Sequence, residues 1–428
     1  MLGKKLGVRI AFFSITIPIQ LYAGTWEMVG FGSRGSAMAG AMAGLADDSG
    51  AIYYNAAGLT AGPDAKVAVG YVFSPFNLKF NGEEVDAENI SGLNIGAVGA
   101  IPMGPPLEDK LFVGLGVFVP TQHFFNATFY PQTEPHFVRF QNAGQKFSFD
   151  FALAYKPVPF FSLAAGANFF INYLATTTIE TSPLQGAVDR RVVNDTPAEV
   201  APIAGVLFNP GESFPKWRRW RVGASYRDAS EMETAIPFQA DFAGALLDVD
   251  IRGITFFEPA RAALGVSYRL LDRLTIATQA DYVFWSDFPS DALSLTFEGI
   301  EVVVPQTPEF DDKIVGRIGL EYPLLQSGDV HFTLRGGYAF DPSPVPPQTG
   351  ETNLLDGDRQ IFASGFGFKF LEAIGENPLS MDLFFQYHLL DSVTTSKDST
   401  VSVANPGAAG IESEGNFYSF GISFVIRI

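Results

Sequence analysis

Apolar residues recur at every second position along most of the chain, and this period constrains the fold more than any other feature. The stretch VHFTLRGGYAFD at 330–341 alternates in this way. So does the C-terminal stretch FYSFGISFVIRI, whose large apolar residues are Phe420, Ile422, Phe424, Ile426 and Ile428. Because residues i and i+2 share one face of a strand, each segment has one apolar face and one face of mainly small or polar residues. The pattern predicts an all-β protein.

Fourteen segments share this alternation, and the links between them fall into two classes. The segments predict strands near 66–80, 90–102, 110–120, 146–156, 160–173, 200–208, 218–230, 258–270, 273–286, 311–322, 330–341, 359–370, 380–391 and 416–428. Links of 2 to 9 residues alternate with links of 17 to 27 residues, apart from the 9-residue link at 81–89. Short turns at one end, long loops at the other and an even strand number are typical of bacterial outer-membrane barrels. A soluble sandwich does not segregate its loops in this way.

We therefore predict a transmembrane antiparallel β-barrel of about 14 strands in the outer membrane of a Gram-negative cell. Closure leaves no strand edge, so every backbone polar group finds a partner within the hydrocarbon. Beyond the first 23 residues, no apolar run is long enough for a transmembrane helix.

Residues 1–23 have the three parts of a secretory signal peptide. Lys4, Lys5 and Arg9 precede an apolar run at 10–19, and Leu21-Tyr22-Ala23 supplies a cleavage site. A membrane anchor is the alternative, but the apolar run is short for one.

The stretch GSRGSAMAGAMAGLADDSGAIYYNAAGL at 32–59 is built mostly of Gly, Ala and Ser, and it has too few large apolar residues for a core of its own. A barrel of about fourteen strands encloses a lumen too wide for its own side chains to fill. We therefore predict that residues 24–60 form a hatch plugging the lumen and that residues 61–428 form the barrel. A loose tail outside the barrel is the alternative. The G-x-G-x-x-G match at 30–35 lacks the βαβ context of a dinucleotide site.

Several function classes are excluded or disfavoured by composition. The chain has 428 residues, no cysteine and a formal charge of −18, so disulfides and thiol nucleophiles are excluded and a nucleic-acid partner is not expected. His123 and His136 lack metal-like spacing, and no G-x-S-x-G elbow occurs. His331 and His388 both fall on predicted lumen faces, so an outer-membrane lipase is the enzymatic alternative. We expect no catalytic residue, no metal and no cofactor.

Four stretches, in order along the chain, resemble the FadL-type outer-membrane long-chain fatty acid transporter family, which includes aromatic-hydrocarbon channels. They are GSAMAGAMAGLADDSGAIYYNAAGLT, similar to the hatch of that family, VGLGVFVP at 113–120, PARAALGVSYR followed by DYVFWSDF, and LRGGYAFDPSPVPPQTGETNLLDGDR. Two departures stand out. Asn55-Ala56-Ala57 replaces the family's Asn-Pro-Ala, and the chain ends in Ile428 where an aromatic residue is common.

The resemblance implies uptake of hydrophobic molecules, an apolar lumenal pocket and a hatch, here including Asn55 and Gly58, that shifts to release the ligand. It also implies a kinked third strand that opens the wall, so the ligand leaves into the bilayer without crossing water. We expect Gly114 and Gly116 to be this lateral gate, at a break in strand pairing, because glycine often marks a strand bend. The alternative is that both glycines only make room for the hatch.

Six cations fall on lumen faces by alternation: Arg221, Arg227, Arg269, Arg317, Arg335 and Lys369. Family members that bind fatty acids hold the carboxylate with basic residues, and a guanidinium does so bidentately. Arg317, Arg335, Lys369 and Arg269 are therefore the predicted ligand-binding residues, with the first two preferred. In the alternative, such cations pair with inward acids, namely Glu321, Asp281 and Asp382, and brace the barrel.

The expected partners are a hydrophobic small-molecule ligand and the lipid and lipopolysaccharide of the outer membrane, bound by a monomer. A general diffusion porin or a structural outer-membrane barrel is the alternative function. The small-residue hatch and the aromatic-rich loops at 121–140 and 235–257 favour the transporter.

Overall fold

The computed structural model of the chain contains a closed barrel. It describes residues 25–62, 64–122, 134–141, 147–171, 174–182, 187–195, 198–242, 245–288, 293–297, 300–301, 309–350, 352–374, 377–397, 405–407 and 410–428. The predicted leader at 1–23 and His123 lie outside the described residues.

Fourteen antiparallel strands form the barrel wall, each paired with its neighbour in the chain. In chain order, strands 1 to 14 are Lys66–Ser74, Ile90–Ala100, Leu111–Pro120, Ser148–Val158, Phe161–Ile171, Ala198–Phe208, Trp220–Arg227, Arg261–Leu270, Leu274–Val283, Lys313–Ser327, Val330–Asp341, Arg359–Ile374, Asn377–Thr395 and Ile411–Arg427. Strand 14 pairs with strand 1 from Lys66↔Arg427 to Phe73↔Phe420, which closes the sheet. The predicted fold class is confirmed, and all fourteen predicted strands are present.

The two faces of the wall follow the alternation read from the sequence. On strand 1, Val67, Val69 and Tyr71 are 37 to 45% exposed, whereas Ala68 and Val72 are buried. The exposed row is apolar because it faces the lipid, and the buried row faces the lumen.

The long-loop end contains strands where the sequence predicts loops. Six strands form a second sheet there: Leu174–Ser182, Ala187–Asp195, Ser230–Phe242, Ala245–Glu258, Leu293–Phe297 and Ile300–Glu301. Strand Leu174–Ser182 has the sequence LATTTIETS, which is rich in β-branched Thr but has no apolar face. Apolar alternation therefore does not predict it. Shorter strands are Phe76–Phe80 and Glu83–Val85, and the parallel pair His136–Phe137 with Leu354–Leu355.

The N-terminal segment, residues 25–62, contains short helices at Thr25–Val29, Ser33–Ala37 and Ala51–Tyr54 and a 3-10 helix at Ala56–Thr60. Further 3-10 turns lie at Pro210–Glu212, Pro215–Trp217 and Trp285–Asp287. Met38, Ile52 and Leu59 of the segment are buried in one core with the inward-facing Phe112 and Phe118 of strand 3. The segment therefore has its apolar core in common with the wall.

In the part of the chain that the structure describes, no helix has the length and apolar character needed to span a membrane.

Candidate functional site

The N-terminal segment packs against glycines of the wall. A Cβ added at Gly337 would lie 2.5 Å from the Met38 carbonyl carbon, and one at Gly265 would lie 2.8 Å from the Gly44 nitrogen. Four more glycines on inward faces contact the segment in the same way: Gly205, Gly223, Gly319 and Gly365. These positions lie on strands 6 to 8 and 10 to 12, so the segment lies in the lumen within backbone-contact distance of about half of the wall. Glycine is needed there because any side chain would fill the space of the segment.

Asn55 and Gly58, predicted as hatch residues, hold one turn of this segment against the wall. The Asn55 Nδ2 donates to the Ala43 carbonyl at 2.7 Å and to the Val206 carbonyl of strand 6 at 3.0 Å, and the Ala57 N–H donates to its Oδ1 at 3.2 Å. A Cβ at Gly58 would overlap the Ala46 carbonyl oxygen. The Asn side chain thus fixes the turn that lacks the proline of the Asn-Pro-Ala pattern. Their part in gating stays a prediction.

Gly114 and Gly116 do not lie at a break in strand pairing, so that expectation is wrong for this structure. Strand 3 pairs continuously with both neighbours: Gly114 opposes Val98 and Ala152, and Gly116 opposes Gly96 and Asp150. Their inward faces receive the segment instead. A Cβ at Gly114 would lie 2.6 Å from Leu59 Cδ1, and one at Gly116 would lie 2.9 Å from Ile52 Cγ2. The wall is closed here, and the glycines make room for the segment; a role as lateral gate stays a prediction.

Arg34 ties the segment to strand 10 through charged contacts. Its guanidinium lies 2.8 Å from Glu321, 2.5 Å from Asp47 and 3.0 Å from Asp48. Burial disfavours the charged guanidinium, but these three carboxylates raise the pKa of Arg34 well above its ordinary value. Burial also opposes ionisation of Asp47, yet the charges of Arg34 and Arg221 hold its pKa well below the usual range. Arg34 and Asp47 are therefore both charged at neutral pH.

Arg317 and Arg335, the preferred ligand-binding residues, both contact carboxylates of the wall. Arg317 Nε lies 2.7 Å from Asp281, and its Nη1 donates to the Ala39 carbonyl of the segment at 2.9 Å. Arg335 lies 2.7 Å from Glu321 and 2.6 Å from Asp382. These contacts are the geometry of the bracing alternative, so a head-group role, which stays a prediction, requires an incoming carboxylate to displace an acid.

Lys369 and Arg269 are placed differently from these two arginines. Lys369 faces a cavity of about 390 Å³ that Arg34 and Arg335 also line. Arg269 is exposed near the short-turn end of strand 8. The structure therefore brings Arg317, Arg335 and Lys369 to the lumen, with the last two on one cavity, and leaves Arg269 apart from them.

A buried charge cluster near the long-loop end is not predicted by the sequence pattern. Asp341, at the end of strand 11, lies 2.7 Å from Lys313, 2.9 Å from Arg139 and 2.6 Å from Arg359. Arg139 also lies 2.8 Å from Asp356. Alternation places Lys313 and Asp341 on inward faces. Arg139 lies on the segment 134–141, whose position in the fold no sequence periodicity predicts.

The histidines do not form a catalytic constellation in the described residues. His388 is buried and stacks on Phe417 with ring centroids 4.0 Å apart. Its Nε2 lies 3.0 Å from Gln386 Oε1 and 3.4 Å from Ser419 Oγ, but Nδ1 contacts no carboxylate that would orient the ring as in a hydrolase triad. Among the residues described, no group of three His, Asp or Glu is placed to hold a metal ion.

The cavities of the lumen differ between its middle and its short-turn end. Two cavities of about 40 and 30 Å³ lie between the segment and the wall, close to Tyr53 and Arg261. Two cavities of about 390 Å³ each open at the short-turn end, and both are lined by Asp47, Lys66 and Arg427. The way out past the segment toward that end is therefore charged and polar, whereas the segment itself fills the middle.

Comparison with known proteins agrees with this architecture. A sequence model of the family described as outer membrane protein transport protein (OMPP1/FadL/TodX) matches residues 20–427. The chain is similar in structure to a Pseudomonas aeruginosa FadL homologue, with a TM-score of 0.59 and 16% identity over 93% of this chain and 97% of that one. It is also similar to the P. putida toluene transporter TodX (0.55, 16%, 94% and 99%) and the Ralstonia pickettii toluene transporter TbuX (0.55, 15%, 94% and 100%). At these identities the structural likeness shows the fold alone. No curated protein matches the chain.

Proposed function

The chain belongs to the outer membrane protein transport family (OMPP1/FadL/TodX) and is an outer-membrane transport protein, not an enzyme, and on that premise we propose that it carries hydrophobic compounds through a hatch-gated barrel with lateral exit. The observation that carries this proposal is the fit of the N-terminal segment into the wall glycines. The segment fills the lumen, so transport requires it to move.

The contacts of the segment suit a part that is held firmly but can be released. Polar contacts at Arg34, Asn55 and Arg317 fix it to the wall, and much of its backbone lies against wall glycines, which have no side chains to hold it. A general diffusion porin has no use for such a plug, because its lumen passes solutes through open water. These features support a hatch at residues 24–60.

The charge distribution supports exit through the wall. A hydrophobic molecule moving straight toward the short-turn end, which faces the periplasm in bacterial barrels, would meet the charged cavities around Asp47, Lys66 and Arg427. Leaving sideways into lipid avoids that polar passage. Strand 3 is the proposed exit because Gly114 and Gly116 put no side chain between the segment and the wall. Opening it requires the segment to withdraw and the ladder of strand 3 to separate.

Uncharged hydrocarbons are the cargo that the lumen supports best. Arg317 and Arg335 are already paired with Asp281, Glu321 and Asp382, so a fatty-acid carboxylate would have to break a buried ion pair to reach either. Similar structures include toluene transporters and the monoaromatic hydrocarbon channel CymD, which is the same chemical class.

A cysteine lock on the segment tests the hatch. The natural chain has no cysteine, and a Cβ at Gly96 of strand 2 would lie 3.0 Å from Ser49 Cβ, close to the range for a disulfide. In Ser49→Cys/Gly96→Cys cells, we expect oxidation to reduce uptake of radiolabelled toluene to the level of cells lacking the protein, and reduction to restore it. The two single variants are matched controls that cannot form the bridge. Undiminished uptake with a fully formed bridge would show that the segment need not move.

A further inference from the structure

Four polar side chains meet on one rung of the wall near the short-turn end. Across strands 10 to 13, Gln326 pairs with His331, His331 with Lys369, and Lys369 with Ser380. All four line the same cavity of about 390 Å³. We call them the Lys369 row.

The Lys369 row presents hydrogen-bond donors that the protein leaves available. In the described part of the chain, Lys369 makes no ion pair or hydrogen bond, although its side chain is half-buried. The four acids that line that cavity are paired with other cations: Glu321 and Asp382 with Arg335, and Asp47 and Asp48 with Arg34. The row therefore holds an ammonium group that forms no ion pair with a carboxylate of the described residues.

Further positive charge faces the same cavity. Lys66 and Arg427, a directly opposed pair on strands 1 and 14, line it, and their charges act repulsively on Lys369. The Lys66 ammonium has a carbonyl partner, Asp47, at 3.0 Å, and Arg427 lies 3.3 Å from the half-exposed Asp64. Three like charges around one cavity oppose one another unless an anion lies between them.

We propose that the Lys369 row binds an oxyanion, the carboxylate or phosphate group of a ligand entering from the short-turn end. Lys369 supplies the charged contact, and the Gln326 amide, the His331 ring and the Ser380 hydroxyl are available as donors around it. Charge-assisted contacts of this kind are the strong ones among protein hydrogen bonds. This site is separate from transport of an uncharged cargo, and the proposal does not depend on that function. The group could belong to a free solute or to a lipid headgroup.

Equilibrium dialysis with radiolabelled inorganic phosphate tests the site. The full-length protein is measured in phosphatidylcholine nanodiscs, at constant ionic strength set with chloride. We expect Lys369→Gln to weaken phosphate binding by about tenfold or more, Lys369→Arg to retain most of it, and Ser380→Ala to weaken it less. Lys79→Gln is the matched control, because Lys79 is a cation that does not line this cavity; its side chain is 38% exposed and lies 3.8 Å from Glu414. Heat-modifiable electrophoretic mobility confirms that each variant forms a barrel.

Replacing the disc lipid with phosphatidylglycerol distinguishes the two sources of the group. Loss of phosphate binding in these discs would identify a lipid headgroup as the natural occupant of the row, and retained binding would identify a free solute. Absence of phosphate binding in phosphatidylcholine discs would overturn the proposal. An equal effect of Lys369→Gln and Lys79→Gln would do the same, and if Lys369→Gln fails to form a barrel, Ser380→Ala alone must weaken binding.

Discussion

Arg34 of the N-terminal segment donates two hydrogen bonds to Glu321 of strand 10, at 2.8 Å from Nε and 3.0 Å from Nη2. The two residues are 287 positions apart, and Glu321 also accepts from Arg335 at 2.7 Å. The Glu321 carboxylate thus links Arg34 of the segment to Arg335 of the wall. Because bidentate Arg–carboxylate pairs fix geometry as well as charge, this contact sets the resting position of the segment.

Replacing Arg34 with Ala should loosen the segment without preventing barrel assembly. Three carboxylates lose their shared partner, and we expect docking of the segment to weaken by about 3 kcal/mol, near the low end for a buried pair because the side chain is 16% exposed. Conductance in planar bilayers and protease cleavage within residues 25–62 should both rise. Lys79→Ala, which removes an exposed pair with Glu414, is the control. Wild-type conductance in the Arg34 variant would mean that other contacts hold the segment.

Replacing Gly114 with Val tests whether strand 3 is the exit or whether its glycine only makes room for the segment. The added side chain would overlap Leu59, so we expect Gly114→Val alone to weaken docking of the segment by about 1–3 kcal/mol, seen as raised conductance. Leu59→Ala removes that overlap. If strand 3 is the exit, hydrocarbon uptake by Gly114→Val/Leu59→Ala should stay below that of Leu59→Ala, because the β-branched residue stiffens the closed strand. Equal uptake would show that Gly114 only makes room for Leu59. Gly336→Val, on an outward face with nothing nearer than 3.7 Å, is the control.

The sequence predicted the wall well because a barrel strand is specified locally. Alternation alone put Arg221, Arg227, Arg317 and Arg335 on the lumen side, where each contacts the segment or an inward acid. The bracing alternative named the inward acids Glu321, Asp281 and Asp382, and Arg317 and Arg335 do contact them. The sequence did not assign each acid to its arginine or predict the contacts with residues 25–62, because these depend on the register between strands and on the path of that segment. The regular pairing at Gly114 was missed for a related reason: glycine permits a bend, but it also permits close approach. The position of Leu59 against Gly114 shows that this glycine permits close approach, and that position is not encoded in the local pattern of strand 3.

The segment 134–141 should release at mildly acidic pH through His136. Burial lowers the pKa of His136 to about 4, and its Nδ1 donates to the Glu134 carbonyl at 2.8 Å. A histidine whose pKa is lowered by docking opposes protonation, so docking is fully favourable above the free pKa of about 6.5 and weakens as the pH falls toward 4. At pH 5 the loss is about 2 kcal/mol, roughly thirtyfold in the docking equilibrium. Hydrogen exchange of residues 134–141 at pH 7 and 5, corrected for intrinsic rates, measures it. His136→Phe should lose this pH dependence, and equal protection at both pH values in the natural protein would contradict the prediction.

The ligand preference of the lumen arginines can be measured by comparing a fatty acid with a hydrocarbon of equal chain length. Asp281 is fully buried and lies 2.7 Å from Arg317, so Arg317→Ala leaves a buried carboxylate without its cation, at a cost of about 3–5 kcal/mol to the local structure. If the arginine only braces the wall and the segment, Arg317→Ala and Arg335→Ala should change the binding of dodecanoate and dodecane equally. If either arginine holds a head group, dodecanoate binding alone should weaken by roughly 1.5 to 3 kcal/mol. Asp281→Asn provides the matched control, since it loosens the same pair while keeping the cation. We expect equal effects on both ligands, and a selective loss of dodecanoate would restore the carboxylate-binding prediction.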